Sequence, residues 1–202
     1  MRRFVGDQIL VATGNRGKLQ EISALLEPLG ARVLSLENFG LREPAETEVS
    51  FVGNARIKAH AAALASGMPA LADDSGLTVD ALAGAPGIYT ADWAETGRGR
   101  DFAVAMAKSR GLLEAVRAEE PRRAQFRCTL VLAWPDGHDE VFEGVAEGRI
   151  VWPMRGRLGH GYDPIFAPDG YEKTFGEMAA DLKNRISHRA DAFGKLVKGC
   201  FT

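Results

Sequence analysis

The chain opens with a strand-turn-helix unit, the element from which α/β folds are built. Residues 8–12 are mostly apolar and predict a short buried strand. A glycine-containing turn follows over 13–17, and a helix is predicted from about Lys18 to Gly30. The apolar side chains of that helix form one stripe that suits packing on a sheet. They are Leu19, Ile22, Leu25, Leu26 and Leu29.

The following segments continue the alternation of predicted strands and helices until a predicted β-hairpin interrupts it. Ser50 is the predicted N-cap of an alanine-rich helix that reaches about Ala65. Residues 69–72 predict a second short strand, which ends just before Asp73 and Asp74. Because a hairpin interrupts the strand-helix alternation, we expect an α/β fold with a mixed sheet. The remaining predicted elements are a helix over 101–118, strands over 124–134 and 140–145 joined by a Pro-Asp-Gly turn, and a helix over 187–198.

Composition restricts the domain count, the partners and the compartment. The 202 residues, 46% of them hydrophobic, suffice for one sizeable core, so we expect a single domain over 1–202. With 25 basic and 27 acidic side chains, the chain lacks the basic excess of a nucleic-acid binder. Cys128 and Cys200 are too few for a disulfide framework, and no stretch resembles a signal peptide or a membrane span. We therefore expect a cytoplasmic protein with neither nucleic acid nor membrane as a partner.

Two segments have the character of phosphate-binding sites. The turn over 13–18 presents backbone N–H groups at a helix start, and Lys18 adds a positive charge. It is not a Walker A loop, since only two residues separate its glycines. Asn54 and Lys58 are four residues apart, hence on one helix face, and that face could meet the same phosphates. A tight turn with a solvated lysine is an equally simple explanation of the first segment, and a polar stripe on an amphipathic helix is the simpler explanation of the second.

Adjacent carboxylates at Asp73 and Asp74 indicate a cation site. Neighbouring like charges are unfavourable unless a cation or hydrogen bonds compensate them. Magnesium is commonly held by one or two carboxylates together with substrate phosphates. A capping turn is the equally simple alternative. A second metal ligand could come from the preceding irregular segment, which carries Glu43, Glu46 and Glu48.

Two further segments suit the recognition of a nucleotide base. Residues 159–166 place glycines on both sides of His160, and Asp163 precedes a rigid proline. An ordinary glycine-rich loop with Tyr162 in the core is the alternative. The basic cluster over 183–189 begins a helix, and its donors could read a carbonyl group on a base. His188 could instead be a structural histidine.

Together these segments resemble the inosine triphosphate pyrophosphatase family, whose members hydrolyse ITP, dITP and XTP to a monophosphate and pyrophosphate. The resemblance covers nearly the whole chain and preserves the order of the family's motifs. It implies an elongated mixed sheet flanked by helices, with two lobes around a central cleft, and a homodimer. The matching segments are 12–18, 51–55, 72–77, 84–89, 161–164 and 186–189.

The resemblance assigns roles to the phosphate-binding segments. It implies that Lys58 assists in holding the triphosphate, that Ser75 contacts the substrate, and that Asp74 is the catalytic proton acceptor. The magnesium ion is expected between Glu46 and Asp74, with Glu43 as the alternative ligand. The turn residues expected to hold the triphosphate are Thr13, Gly14, Asn15, Arg16, Gly17 and Lys18.

The resemblance also assigns base recognition. His160 stands where the family usually has a phenylalanine that stacks on the base, and protonation of an imidazole would make base binding pH-sensitive. A 6-oxo group accepts hydrogen bonds, whereas the amino group of adenine donates them, so side-chain donors here would disfavour adenine. The residues expected to contact the substrate are His160, Gly161, Tyr162, Asp163, Lys183, His188 and Arg189.

The implied reaction is phosphoryl transfer to water. Asp74 would prepare a water molecule to attack the α-phosphorus, while magnesium and the lysines neutralise the phosphate oxygens. One alternative is a phosphohydrolase that forms an aspartyl-phosphate on Asp73 or Asp74. The other is a nucleotide-sensing module that binds without hydrolysis.

Overall fold

The computed structural model describes residues 1–201 and has the mixed α/β architecture predicted from the sequence. The strands are β1 (Gln8–Val11), β2 (Arg32–Ser35), β3 (Ala70–Val79), β4 (Glu95–Thr96), β5 (Gly99–Arg100), β6 (Arg123–Ala133), β7 (Asp139–Ile150) and β8 (Phe166–Pro168). Six of them form one sheet in the order β2-β1-β3-β6-β7-β8, and β4 pairs with β5 separately. Strand β1 runs parallel to β2 and β3, whereas β7 and β8 are antiparallel. The helices are α1 (Arg16–Leu26), α2 (Phe51–Ser66), α3 (Phe102–Ala115), α4 (Ala180–Ile186) and α5 (His188–Leu196).

The chain divides into two compact units, the first of which comprises Met1–Asp74, Cys128–Gly144 and the residues from Asp191 onward. Side chains on a strand alternate between its two faces. Leu71 accordingly joins a cluster with Ile22 of α1 and Phe193 of α5, while Ala70 and Ala72 join a second cluster with α2. The first unit therefore has helices α1 and α5 in one cluster and α2 in the other.

Helix α1 follows the predicted amphipathic stripe for most of its length. Ile22 and Leu26 are buried as expected, but Leu29 is 36% exposed. The prediction for Leu29 was wrong because the α-helix gives way to a 3-10 turn at Glu27–Leu29, which changes the direction of the following side chains. Gly30 ends this turn in the left-handed conformation, with φ 73°.

Helix α2 confirms its predicted boundaries closely. The hydroxyl of Ser50 accepts a hydrogen bond of 3.1 Å from the Gly53 N–H, which is the expected N-cap. Gly67 closes the other end with φ 68°. Small buried residues such as Ala55 and Ala59 face the sheet, so the helix backbone approaches it closely.

Strand β3 is longer than predicted. The apolar run 69–72 was expected to end in a turn at Asp73 and Asp74, but the strand continues to Val79 and includes both carboxylates. Leu77 and Val79 are fully buried and belong to a different hydrophobic cluster from Leu71 and Ala72. The carboxylates were misread as a turn signal because their pairing with lysines is not visible in the sequence.

The second unit comprises Ser75–Arg127 and Val145–Ala190. Its core joins strand residues such as Phe126 and Phe166 to Leu113 of α3 and Phe175. Asp101 caps α3 by accepting a 2.9 Å hydrogen bond from the Ala103 N–H. This unit therefore has a hydrophobic core of its own.

Five short strands and helices were missed: β2, β4, β5, β8 and α4. Helix α4 ends at Ile186, and α5 begins at His188 after a break of one residue. That residue, Ser187, accepts a 3.2 Å hydrogen bond from the Ala190 N–H, so its predicted capping role is confirmed. Within 1–201, every helix is too short or too polar to traverse a lipid bilayer.

Candidate functional site

Strand alternation sends the two adjacent aspartates of β3 in opposite directions. Asp73 lies on the same face as Leu71, the face that packs against α1. Asp74 lies on the face of Ala72, the one that packs against α2. Each carboxylate therefore meets a lysine from a different helix.

Asp73 is paired with Lys18 inside the protein. Lys18 Nζ lies 2.9 Å from Asp73 Oδ1, and the Asp73 side chain is fully removed from solvent. The other carboxylate oxygen lies 4.0 Å from the Sγ atom of Cys128. Asp73 is thus the more enclosed member of the pair, and it holds Lys18 beside the first turn.

Lys58 is the centre of the second arrangement. Its side chain is 2% exposed, and Nζ lies 2.5 Å from Glu46 Oε1. Glu43 Oε1 and Asp74 Oδ1 each lie 3.7 Å from the same nitrogen. Burial alone would lower the pKa of Lys58, but the negative charges of Asp74, Asp73 and Glu46 outweigh it and raise the pKa. Lys58 is therefore a charged ammonium.

Asp74 has an unusual acidity. Burial is the main reason that its pKa is raised to about 6, and Glu46 and Asp73 add to the rise. Lys58 and Lys18 partly offset it. A carboxylate with a pKa near the working pH is a suitable proton acceptor, because it is ionised yet appreciably basic. This property distinguishes Asp74 from an ordinary surface aspartate.

The first turn differs in detail from the predicted anion site. Asn15 Oδ1 accepts hydrogen bonds from the N–H groups of Gly17 (2.9 Å) and Lys18 (3.2 Å), so the side chain satisfies two donors expected to face a phosphate. Asn15 N–H in turn donates to Thr13 Oγ1 at 3.1 Å. Arg16 is exposed at the start of α1.

The N–H of Gly14 has a different kind of partner. It donates to Glu43 Oε2 at 2.9 Å, and Glu43 lies 29 residues further along the chain. The turn thus holds a carboxylate from another segment. This contact is not predictable from the sequence, because Glu43 lies outside any periodic element.

The oxygen ligands near Lys58 suit a hard divalent cation. Glu46, Asp74 and Glu43 each place a carboxylate oxygen within 3.7 Å of Lys58 Nζ. Within residues 1–201, no three His, Cys, Asp or Glu side chains are already arranged as a metal-binding group. Magnesium does not require such a cage, since one or two carboxylates and substrate phosphates commonly hold it. The donor set therefore fits magnesium bound together with a phosphate.

The second unit contains a separate polar cluster around Asp163. Its Oδ2 atom accepts hydrogen bonds from the His160 N–H (2.8 Å) and from Lys183 Nζ (2.5 Å). A Cβ atom at Gly159 would collide with this carboxylate, and the φ of Gly159 is 74°, so glycine is required there. The predicted Asp163, His160 and Lys183 are thus brought together.

The other predicted base-binding residues occupy distinct positions in the second unit. His188 is buried and stacks on Phe126, with ring centroids 5.0 Å apart and planes at 15°. Arg189 Nη2 donates to Ser75 Oγ at 3.4 Å. Gly161 has a φ of 66°.

Tyr162 belongs to the hydrophobic core. Its side chain packs edge-on against Phe102, with ring centroids 5.8 Å apart, and its hydroxyl donates to the Thr90 carbonyl at 3.3 Å. Tyr162 is 1% exposed. The alternative considered from the sequence, in which Tyr162 packs in the core, is therefore confirmed for its side chain. The stacking of His188 on Phe126 was not predicted from the sequence.

The buried Lys58 and the partly buried Lys18 lie among carboxylates in an α/β fold, a donor set of the kind that phosphate- and cation-binding proteins use. The chain belongs to the Ham1 family, whose model matches residues 9–199. This confirms the resemblance inferred from the motifs.

Relatives and solved structures agree with that assignment. A dITP/XTP pyrophosphatase of Ruegeria pomeroyi is 65% identical over 200 residues, covering 99% of this chain and 98% of the relative. One of Rhodospirillum centenum is 54% identical with the same coverage of both chains. A HAM1 protein from Coxiella burnetii superposes with a TM-score of 0.87 at 37% identity, covering 95% of this chain and 97% of that one. A nucleoside-triphosphatase, or dITP/XTP pyrophosphatase, from Mycobacterium abscessus gives 0.76 at 39% identity, with coverage of 94% and 98%.

Proposed function

We propose that this protein hydrolyses triphosphates of abnormal purines, namely ITP, dITP and XTP, to the monophosphate and pyrophosphate. The observation that carries the proposal is the arrangement of Asp74, a carboxylate of raised pKa, beside the buried Lys58 and Glu46. Relatives named dITP/XTP pyrophosphatase match almost the whole chain at 65% and 54% identity. Such an enzyme would keep abnormal purines out of DNA and RNA.

Lys58 and Lys18 bind the triphosphate of the substrate. Lys58 and Lys18 are held beside the acidic pair by short contacts, so their ammonium groups are already in place before a substrate binds. A positioned cation stabilises the charge that develops on phosphate oxygens more strongly than a mobile one, because no reorganisation is needed. Positioning and charge stabilisation supply most of the catalysis in phosphoryl transfer.

Asp74 is the proton acceptor. A water oxygen attacks the α-phosphorus, the water proton passes to the Asp74 carboxylate, and the bond between the α-phosphorus and the bridging oxygen breaks. Pyrophosphate leaves with that oxygen, and the nucleoside monophosphate remains. The raised pKa of Asp74, about 6, suits this role, since the group is ionised above that pH and still basic enough to accept a proton.

Magnesium is the proposed cofactor, held by Glu46 and Asp74 together with the substrate phosphates. When bound, it would withdraw negative charge from the phosphate oxygens. The support is the chemistry of the donors, which are carboxylate oxygens grouped near one nitrogen. Without the cation, Lys58 compensates part of the same negative charge.

The cluster of the second unit is proposed to select the base. Lys183 is fixed by Asp163, and Arg189 is directed to Ser75, so both donors are ordered by their neighbours. Ordered donors favour a 6-oxo purine, whereas adenine would place its own donor against them and leave both groups without acceptors. His160 is the proposed stacking residue.

The proposal extends to assembly and compartment. We expect a homodimer, as the family resemblance implies, and a cytoplasmic location, as the composition indicates. Cys128 and Cys200 are both buried thiols, which agrees with a reducing compartment. Sedimentation of the purified chain at several concentrations tests the dimer.

One assay tests the reaction and its selectivity. Pyrophosphate release is measured from XTP, dITP, ITP, GTP and ATP, with and without Mg²⁺. We expect kcat/KM for the 6-oxo purines XTP and ITP to exceed that for ATP by at least about 10²-fold, and activity to require Mg²⁺. Equal rates for ATP and ITP would contradict the selectivity. Orthophosphate as the product, or a trapped phosphoenzyme, would contradict the reaction.

A further inference from the structure

Glu43 joins two groups that the proposed function assigns to the triphosphate. Its Oε2 atom accepts a 2.9 Å hydrogen bond from the Gly14 N–H, and its Oε1 atom lies 3.7 Å from Lys58 Nζ. A backbone N–H at a helix start and a lysine ammonium are the usual partners of a phosphate oxygen. The Glu43 carboxylate therefore occupies the position of an anion.

Two other N–H groups of the first turn have a partner within the turn. Asn15 accepts from the N–H groups of Gly17 and Lys18, whereas the partner of Gly14 comes from a distant segment. The contact is close enough that a Cβ atom at Gly14 would lie 2.9 Å from Glu43 Oε2. Any phosphate oxygen that uses the Gly14 N–H must first displace this carboxylate.

Glu43 lies on a segment that can release it at low cost. Residues 41–48 have no helix or strand, and the Glu43 side chain is 34% exposed. Lys58 keeps other negative partners when Glu43 leaves, since Glu46 Oε1 lies 2.5 Å from its Nζ atom. Displacement therefore costs the hydrogen bond to Gly14 and the 3.7 Å contact with Lys58, both made by a partly exposed side chain, and leaves the Lys58–Glu46 pair in place.

We propose that Glu43 is an internal anion that occupies the phosphate position at Gly14 and Lys58 until a polyphosphate displaces it, and that it thereby sets the affinity for the triphosphate. The inference rests on the proposed function for the identity of the incoming anion. It gives Glu43 a role different from that of a metal ligand.

Competition of this kind has a calculable effect. If the occupied form predominates by about ten to one, the apparent dissociation constant of a polyphosphate is about tenfold weaker than the intrinsic one. Glu43→Gln preserves the size of the side chain but removes its charge, and hydrogen bonds to neutral acceptors are roughly half as strong. We expect this variant to bind polyphosphate about five- to tenfold more tightly, which corresponds to roughly 1.0–1.4 kcal/mol.

Calorimetry with inorganic tripolyphosphate in metal-free buffer tests the proposal, because this probe carries neither a base nor a metal. Glu48→Gln is the matched control, since Glu48 lies in the same segment and its backbone N–H donates to Asn54 Oδ1 at 2.9 Å. We expect tighter binding in Glu43→Gln and in Glu43→Ala, and wild-type binding in the control. Unchanged or weaker binding in both Glu43 variants overturns the proposal. A raised Mg²⁺ requirement as the sole change would make Glu43 a metal ligand instead.

The amide proton of Gly14 gives an independent readout by NMR. In the free protein its chemical shift should differ between wild type and Glu43→Gln, because the charged acceptor is lost. Saturation with tripolyphosphate should make the two shifts converge, since the same phosphate oxygen replaces either side chain. Shifts that stay apart at saturation contradict displacement. XTP hydrolysis, assayed separately with Mg²⁺, decides the proposed function, so failure of one idea is distinguishable from failure of the other.

Discussion

Lys58 Nζ lies 3.7 Å from Asp74 Oδ1, although the two side chains are only 2% and 8% exposed. Lys18 and Asp73 form the corresponding pair on the other face of β3, at 2.9 Å, with the carboxylate fully buried. The shorter pair has the character of a structural ion pair. Burial raises the pKa of Asp74 to about 6, and the more distant Lys58 only partly offsets the rise. We therefore assign the proposed proton transfer to Asp74 and the support of Lys18 to Asp73.

Asp74→Asn should abolish turnover. The substitution removes the proton acceptor and one proposed magnesium ligand, so we expect kcat for XTP to fall by at least about 10³-fold. The amide has almost the same size, so the circular dichroism spectrum should be unchanged. The same substitution at the exposed Asp80 is the control and should retain full activity. Activity near wild type in Asp74→Asn would remove Asp74 from the mechanism.

Asp74→Asn should also stabilise the protein. Because the pKa of Asp74 is about 6 in the folded state and near 3.8 otherwise, the folded protein binds more protons than the unfolded chain between about pH 4 and pH 6. The ionised carboxylate therefore destabilises the fold as pH rises through this window. We expect the variant to gain roughly 2–3 kcal/mol in metal-free buffer above pH 6, and nothing below about pH 4. Urea unfolding at pH 4 and pH 7 checks this, and a gain of equal size at both values would refute the explanation.

The predictable part of this site was its local chemistry. The cap of α2 by Ser50 and the left-handed Gly67 follow from short-range rules, and both are confirmed. The placement of Lys58 on the same helix face as Asn54 also follows from helical periodicity. Local sequence therefore predicts which elements form and which residues line one face.

The unpredicted part depends on contacts between distant segments. The continuation of β3 through Asp73 and Asp74 depends on lysines from α1 and α2 that compensate both charges. Glu43 reaches Gly14 across 29 residues from a segment without periodicity. No propensity rule encodes either contact, because both depend on the tertiary fold. The stacking of His188 on Phe126 was not predicted for the same reason, since it too depends on the tertiary fold.

Lys58→Met should destabilise the fold in a pH-dependent way. The side chain is 2% exposed, and its removal leaves the carboxylates of Glu46 and Asp74 close together without their cation. Breaking a buried ion pair costs roughly 3–5 kcal/mol, and we expect a loss of this order at pH 7. The loss should shrink at pH 5, where Asp74 is protonated and the repulsion is relieved. Thermal unfolding at both values measures it, with the exposed Lys173→Met as control; a loss independent of pH would point to packing alone.

Asp163→Asn should weaken both the second unit and base selection. The Asp163 carboxylate is 3% exposed and accepts from Lys183 Nζ at 2.5 Å and from the His160 N–H at 2.8 Å. The amide removes the Asp163 counter-charge of the Lys183 ammonium, which is 7% exposed, at a cost of roughly 3–5 kcal/mol. Asp169→Asn is the matched control: it breaks the solvent-exposed pair with Arg123, and solvent screening limits that loss to less than about 1 kcal/mol. Urea unfolding should separate the two variants.

Asp163→Asn should also reduce base selection. Because Lys183 would no longer be fixed, we expect the ratio of kcat/KM for XTP to kcat/KM for ATP to fall several-fold in this variant. An unchanged ratio would exclude Lys183 from base recognition.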